Sequence, residues 1–220
     1  MNGVFSMDNK VFIFLGRLVD LFLLNILFVI TCIPIITIGA AITAMYDVTL
    51  RMVKDEESYI MKGYLKAFRS NFKQSTIMWI GVLILGVVLL CDMMITNANS
   101  GTVWTGLHIA AFATTIWLWI ITAYIFPLQA KFVNTCKNTL RNACFMAVKH
   151  LPTTLAVVIL NSVIIVCAIY NGYTLLYGFA AYTMIGFAVI AYLNSVMLVR
   201  VFEQYYDNVI PEEDTELQEQ

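Results

Sequence analysis

The stretch LVDLFLLNILFVITCIPIITIGAAITAMYDVTL, Leu18 to Leu50, decides how the whole chain is read. Arg17 and Arg51 mark its ends, and Asp20 and Asp47 are its only charges. One membrane crossing takes about 20 apolar residues, so this run is too long for one straight helix. Pro34 removes a backbone donor and Gly39 tolerates the backbone of a turn. Non-helical backbone is costly in lipid, so the Pro34–Gly39 break is expected at the far membrane surface. The run therefore predicts two crossings, over 11–33 and 40–54, joined by a tight turn. One crossing followed by a re-entrant segment stays open as the alternative.

The rest of the chain has the same character. Of its 220 residues, 60 % are hydrophobic and 12 % charged, where soluble domains carry about 25 % charged residues. Such a chain cannot solvate a globular surface, and the fold class expected is an all-α polytopic membrane helix bundle. The net charge of −1 leaves no global basic footprint for nucleic acid. Cys32, Cys91, Cys136, Cys144 and Cys167 show no C-x-x-C spacing. A scattered, odd set argues against a disulfide framework or a zinc site, and cysteine packs well as a small hydrophobe.

Beyond the opening run, Lys62, Lys66, Arg69 and Lys73 recur at helical spacing opposite Met61, Tyr64, Leu65, Phe68 and Phe72. This predicts an amphipathic helix over 58–73 lying in the interface. A crossing follows at 75–95, then the uncharged loop Thr96–Val103, then a crossing at 104–126 ended by Pro127. Trp104 and Tyr124 are placed to anchor it in the two headgroup layers. A second interfacial helix is expected over 131–150, carrying Lys137, Arg141 and Lys149. Crossings at 152–170 and 174–199, with a turn at Asn171 and Gly172, bring the expected total to about six. The segment 203–220 reads as an acidic, disordered cytoplasmic tail.

Lysine and arginine set the orientation. The segments 51–73 and 131–149 carry ten of the thirteen basic residues, and the loops 96–103 and 171–174 carry none. Both basic segments, and with six crossings both termini, are therefore expected on the cytoplasmic side.

Asp47 is the sharpest candidate for chemistry, because a carboxylate near mid-membrane costs at least about 2.5 kcal/mol unless compensated. With Asn25, Asn161, Tyr46 and Thr43 it would form an intramembrane polar site for a proton, a cation or a substrate hydroxyl. The competing reading pairs Asp47 with Arg51 one turn on. Arg17 is likewise placed to pair with Asp20, and Asp92 and His108 to meet near the outer face. The basic residues Lys62, Lys66, Arg69, Lys73, Lys137, Arg141 and Lys149 would rest on anionic lipid headgroups, each worth about 1 kcal/mol near the surface, or dock a cytoplasmic partner. Small residues at Gly39, Ala40, Ala41 and Ala44, and at Gly178, Ala180, Ala181 and Gly186, suit close helix packing within one bundle or in a homo-oligomer. No metal-ligand cluster, nucleophile motif, P-loop or dinucleotide fingerprint occurs, so neither catalysis nor a cofactor is expected.

The segments P-I-I-T-I-G-A-A-I-T-A-M-Y (Pro34–Tyr46), K-D-E-E (Lys54–Glu57) and K-A-F-R-S-N-F-K-Q (Lys66–Gln74) resemble the YesL family of uncharacterised bacterial membrane proteins. The resemblance is densest over 18–80. It implies a plasma-membrane protein of a low-GC Gram-positive-type bacterium, from a family often encoded beside carbohydrate-uptake transporters and polysaccharide-degrading enzymes. It supplies no site residues. Two functions are expected from these observations. One is a non-enzymatic accessory or regulatory partner of a carbohydrate-uptake system, contacting a transporter subunit. The other is a small-solute transporter or channel with its polar site around Asp47.

Overall fold

The structure, a computed structural model, describes residues 10–56, 59–169 and 172–206. The Asn171 turn and the tail beyond 206 lie outside the described residues. Within them the chain is an all-α polytopic helix bundle with no strand. Its helices are α1 (Lys10–Thr31), α2 (Ile38–Val53), α3 (Ile60–Ala98), α4 (Thr102–Lys131), α5 (Cys136–Lys149), α6 (Leu151–Ile169), α7 (Gly172–Ala181) and α8 (Phe187–Tyr206). A 3-10 turn, Ile35–Thr37, leads into α2, and a π-helical turn, Tyr182–Gly186, joins α7 to α8. Among the described residues five stretches are long and apolar enough to cross a membrane, and the pair α5–α6, bent by 101°, makes a sixth candidate.

The centre of the bundle is α2. Eleven of its sixteen residues are buried, including Ala40, Ala41, Thr43, Ala44, Val48 and Thr49, and it packs against α3, α4 and α8. Small side chains make this possible, since they let helix backbones approach closely. Gly39 is the tightest point. A Cβ there would stand 2.5 Å from the Trp79 Cβ and 2.6 Å from the Ser75 carbonyl oxygen. Its glycine serves this close approach; the turn itself is made upstream, by Pro34 and the 3-10 residues. The second small-residue group behaves differently: Ala180 and Ala181 are exposed.

Several boundaries differ from the sequence expectation. The amphipathic segment 58–73 and the crossing 75–95 are one unbroken helix, α3, of 39 residues, about 58 Å long at 1.5 Å per residue. Nothing between Lys73 and Ser75 breaks a helix, and Gln74 is itself tied down, donating to the Asn134 carbonyl at 2.6 Å. Its buried face also differs, running through Ile60, Gly63, Tyr64 and Ala67, while Met61, Leu65 and Phe72 stay exposed. Pro127 does not end α4, which runs on to Lys131. Proline costs a helix one hydrogen bond and a local kink, and here Tyr124 to Gln129 are all buried, so packing holds the turn. Tyr124 is no headgroup anchor. It is fully buried and its hydroxyl is 2.7 Å from Thr154 Oγ1. Glu203, expected in the tail, belongs to α8.

The position of the α1–α2 turn bears on the reading of the opening run. Trp79 Nε1 donates to the Ile35 carbonyl at 2.8 Å, so the turn packs against Trp79 of α3. From there α3 continues 19 residues to Ala98, roughly 28 Å along its axis. The α1–α2 turn is thus packed against α3 well short of its end at Ala98. Each arm of the opening run is long and apolar enough by itself to cross a membrane. At Gly101 the α3–α4 connection needs glycine, with φ at +131°.

The other end of the bundle is stapled by charge. Arg17 pairs with Asp55, and Lys54 Nζ lies 2.9 Å from Glu203 Oε1. These pairs tie α1, the α2–α3 connection and α8 together. Arg17 also donates to the Tyr192 hydroxyl at 2.9 Å. The expected Arg17–Asp20 pair is therefore replaced by partners distant in sequence.

At the α5–α6 corner His150 Nε2 stands 3.0 Å from the Tyr205 hydroxyl. Burial, then the Lys149 charge beside it, pushes the imidazole below its ordinary 6.5. The fold thus favours neutral His150. Its contribution is complete above about pH 6.5 and is lost as pH falls from there through the folded value. Amide exchange across 145–155, corrected for intrinsic rates, should accelerate on acidification below pH 6.5 in wild type. In His150→Gln it should not.

Candidate functional site

The structure does not gather the five residues that the sequence grouped around Asp47. Asp47 sits on α2 two turns from its end and pairs with Arg51 at i+4, with 15 % of its side chain exposed. Thr43 donates back to the Gly39 carbonyl at 2.9 Å, and its Oγ1 is 2.9 Å from Ser75 Oγ. It fastens α2 to α3. Asn25 is fully buried on α1 and is taken up by the π-helical turn. Its amide donates to the carbonyls of Tyr182 at 3.0 Å and Thr183 at 2.9 Å, and accepts from the Ala188 N–H at 3.0 Å.

Only Tyr46 and Asn161 meet, and a residue the sequence reading missed joins them. Asn194 of α8, 1 % exposed, donates to the Tyr46 hydroxyl at 3.1 Å and to Asn161 Oδ1 at 3.1 Å. The signal for Asn194 was present in the sequence, as an amide within an apolar run like Asn25 and Asn161. The adjacent Ser195, 2.8 Å from Thr49 Oγ1, extends the same α2–α8 seam.

Beside this triad lies a partly open cleft of about 360 Å³ between α2, α4, α6 and α8. Tyr46 and Asn161 belong to its wall, with Ile38, Ile42, Trp119 and Phe187 among the apolar residues facing them. No charged side chain lines it, and Asp47 is outside the lining. Ligand sites of this type are mostly apolar with a few placed polar groups, at volumes of about 300–1,000 Å³.

Asp47 is therefore held as a local structural ion pair. Asp47→Asn should cost about 0.5–1 kcal/mol, a small shift in thermal unfolding in detergent, and should leave the cleft intact. A collapse of the fold on this substitution would contradict that role.

Asp92 and His108 do not pair side chain to side chain. His108 Nδ1 lies 3.0 Å from Thr96 Oγ1, which bonds back to the Asp92 carbonyl at 2.8 Å. Among the described residues no group of three His, Cys, Asp or Glu could hold a metal. The basic residues Lys62, Lys66, Arg69, Lys73, Lys137, Arg141 and Lys149 are all exposed. Among the described residues none of the seven is in an ion pair.

A family model described as "Protein of unknown function, DUF624" matches residues 21–93, about a third of the chain. The match covers the second half of α1, all of α2 and most of α3, including the Gly39 contact. No curated protein and no solved structure matches the chain.

Proposed function

We propose that this chain is a non-enzymatic integral membrane protein that acts by contacting other membrane components through its basic end, as an accessory or regulatory partner of a carbohydrate-uptake system. The observation that carries the reading is the set of seven exposed cations on α3 and α5, none neutralised by a described residue. Lys62 and Lys149 lie over aromatic rings, but with no carboxylate partner the seven charges can take anionic headgroups or an acidic surface of a transporter subunit. The gathering of lysine and arginine at this end supports its facing the cytoplasm. The Arg17–Asp55 and Lys54–Glu203 pairs bring the described parts of both termini to that same end. The link to carbohydrate uptake rests on the resemblance to the YesL family alone.

A solute path around Asp47 has less support, because that carboxylate is engaged by Arg51 and lies outside the cleft. The test is mild crosslinking in native membranes followed by pull-down. A transporter component should be recovered with wild type and lost with Lys62, Lys66, Arg69 and Lys73 changed together to Glu. Recovery of lipid alone with wild type overturns the reading.

A further inference from the structure

The cleft beside Tyr46 carries chemistry that the basic end does not explain. Its wall is apolar and uncharged, and it extends along α2 from Ile38 to Tyr46, roughly 12 Å at helical rise. At the Tyr46 end the hydrogen-bond inventory does not close. Tyr46, 8 % exposed, accepts from Asn194, and its own proton has no acceptor among the described residues. Asn161 accepts from Asn194, and its NH₂ has no acceptor among them either. Asn194 Oδ1, buried, has no partner among them.

Exchanging O and N in the two amides moves the mismatch without removing it. Tyr46 is then satisfied as a donor to Asn194, but the Asn194 NH₂ takes the buried unpartnered position and Asn161 is left presenting a free oxygen. Buried polar atoms are nearly always paired, and leaving one unpaired costs about 1–3 kcal/mol. A single ligand hydroxyl serves the cleft-lining groups, Tyr46 and Asn161, in both arrangements, while the far edge of the Asn194 amide lies outside the lining. That hydroxyl accepts from Tyr46 and Asn161 in the first and donates to Asn161 in the second.

We infer that the cleft is a binding site for a neutral amphiphile: an aliphatic or isoprenoid chain against Ile38, Ile42, Trp119 and Phe187, with a hydroxyl on the Tyr46–Asn194–Asn161 triad. The same features exclude other classes. A carboxylate or phosphate head would be desolvated with no cation in the lining. A free sugar would bring several hydroxyls to a wall offering little beyond the triad, which separates this site from the solute of a carbohydrate transporter.

The hydroxyl has two natural sources, a free long-chain alcohol and the free hydroxyl of a diacylglycerol. The test uses the full chain in phosphatidylglycerol nanodiscs and two diazirine-tagged probes, hexadecanol and a diacylglycerol. Photolabelling should be saturable with at least one probe and map to peptides from α2 and from Trp119–Phe126. Unlabelled hexadecanol should compete at least tenfold better than palmitate, and glucose should not compete. Labelling by hexadecanol alone assigns the free alcohol, and labelling by the diacylglycerol assigns a bilayer lipid.

Tyr46→Phe should weaken saturable labelling about three- to tenfold, the value of one hydrogen bond. Ala123→Phe adds bulk to the cleft wall while leaving all three triad residues unchanged, and should abolish it while the protein still elutes as a folded species. Unsaturable labelling spread over the exposed face of α3 and unchanged by Ala123→Phe overturns the inference. So does displacement by glucose.

Discussion

Asn25→Leu is expected to be the most damaging single substitution in the bundle. The asparagine is fully buried, and its side chain makes three bonds to backbone at the π-helical turn and the start of α8: to the Tyr182 and Thr183 carbonyls and from the Ala188 N–H. Leucine has nearly the same volume and removes all three. In apolar surroundings each orphaned group costs about 1–3 kcal/mol, and these orphans are not free to find water. The loss should exceed about 3 kcal/mol, enough to prevent a monodisperse species in detergent. Asn25→Asp is the informative companion, since it keeps the acceptor for Ala188 and loses only the donors. If Asn25→Leu unfolds at the wild-type temperature, the π-helical turn does not depend on this side chain.

The second large effect belongs to Gly39. Gly39→Ala places a methyl 2.5 Å from Trp79 Cβ and 2.6 Å from a backbone oxygen of Ser75, and the backbone oxygen cannot rotate away. The α2 and α3 helices must part, and over-packing of this kind costs about 1–3 kcal/mol or more. Parting also strains the Trp79–Ile35 and Thr43–Ser75 bonds that sit on either side. Gly81→Ala is the control. An added Cβ there meets nothing within 4 Å, and alanine in a helix interior gains up to about 1 kcal/mol over glycine. Thermal unfolding in detergent should therefore fall for Gly39→Ala and hold or rise for Gly81→Ala. Equal shifts would remove the close-approach explanation.

Both residues stand in the stretch Leu18–Leu50, and the structure changes the role of one and selects between two readings of the other. Asn25 reads in sequence as one member of a polar pocket, and Gly39 both as a residue of the turn and as a small residue for close helix packing, the reading its contacts bear out. Their partners lie at 182–188 and at 75–79, and no local pattern of spacing points to them. Asp47 is the reverse case. Its partner is four residues away on the same helix, so the ion pair with Arg51 was open to inspection in the sequence. Tyr46 and Asn161 were legible as polar residues within apolar runs. Asn194, which joins them, carried the same signal in a stretch where nothing else drew notice.

The sequence by itself determined that this is a multi-pass helical membrane protein and which segments are basic. Both follow from composition and one-dimensional spacing: apolar runs long enough to span a bilayer, and lysine and arginine gathered in two segments. Only the tertiary structure decided how far the α1–α2 turn reaches and what the buried polar groups do. It places the turn against Trp79, well short of the end of α3, and divides five candidate site residues among an ion pair, a helix seam, a π-turn and a cleft. The physical reason is that apolar length fixes only what a helix could cross. Depth and polar partnership come from contacts between helices, and the residues making those contacts are scattered through the chain.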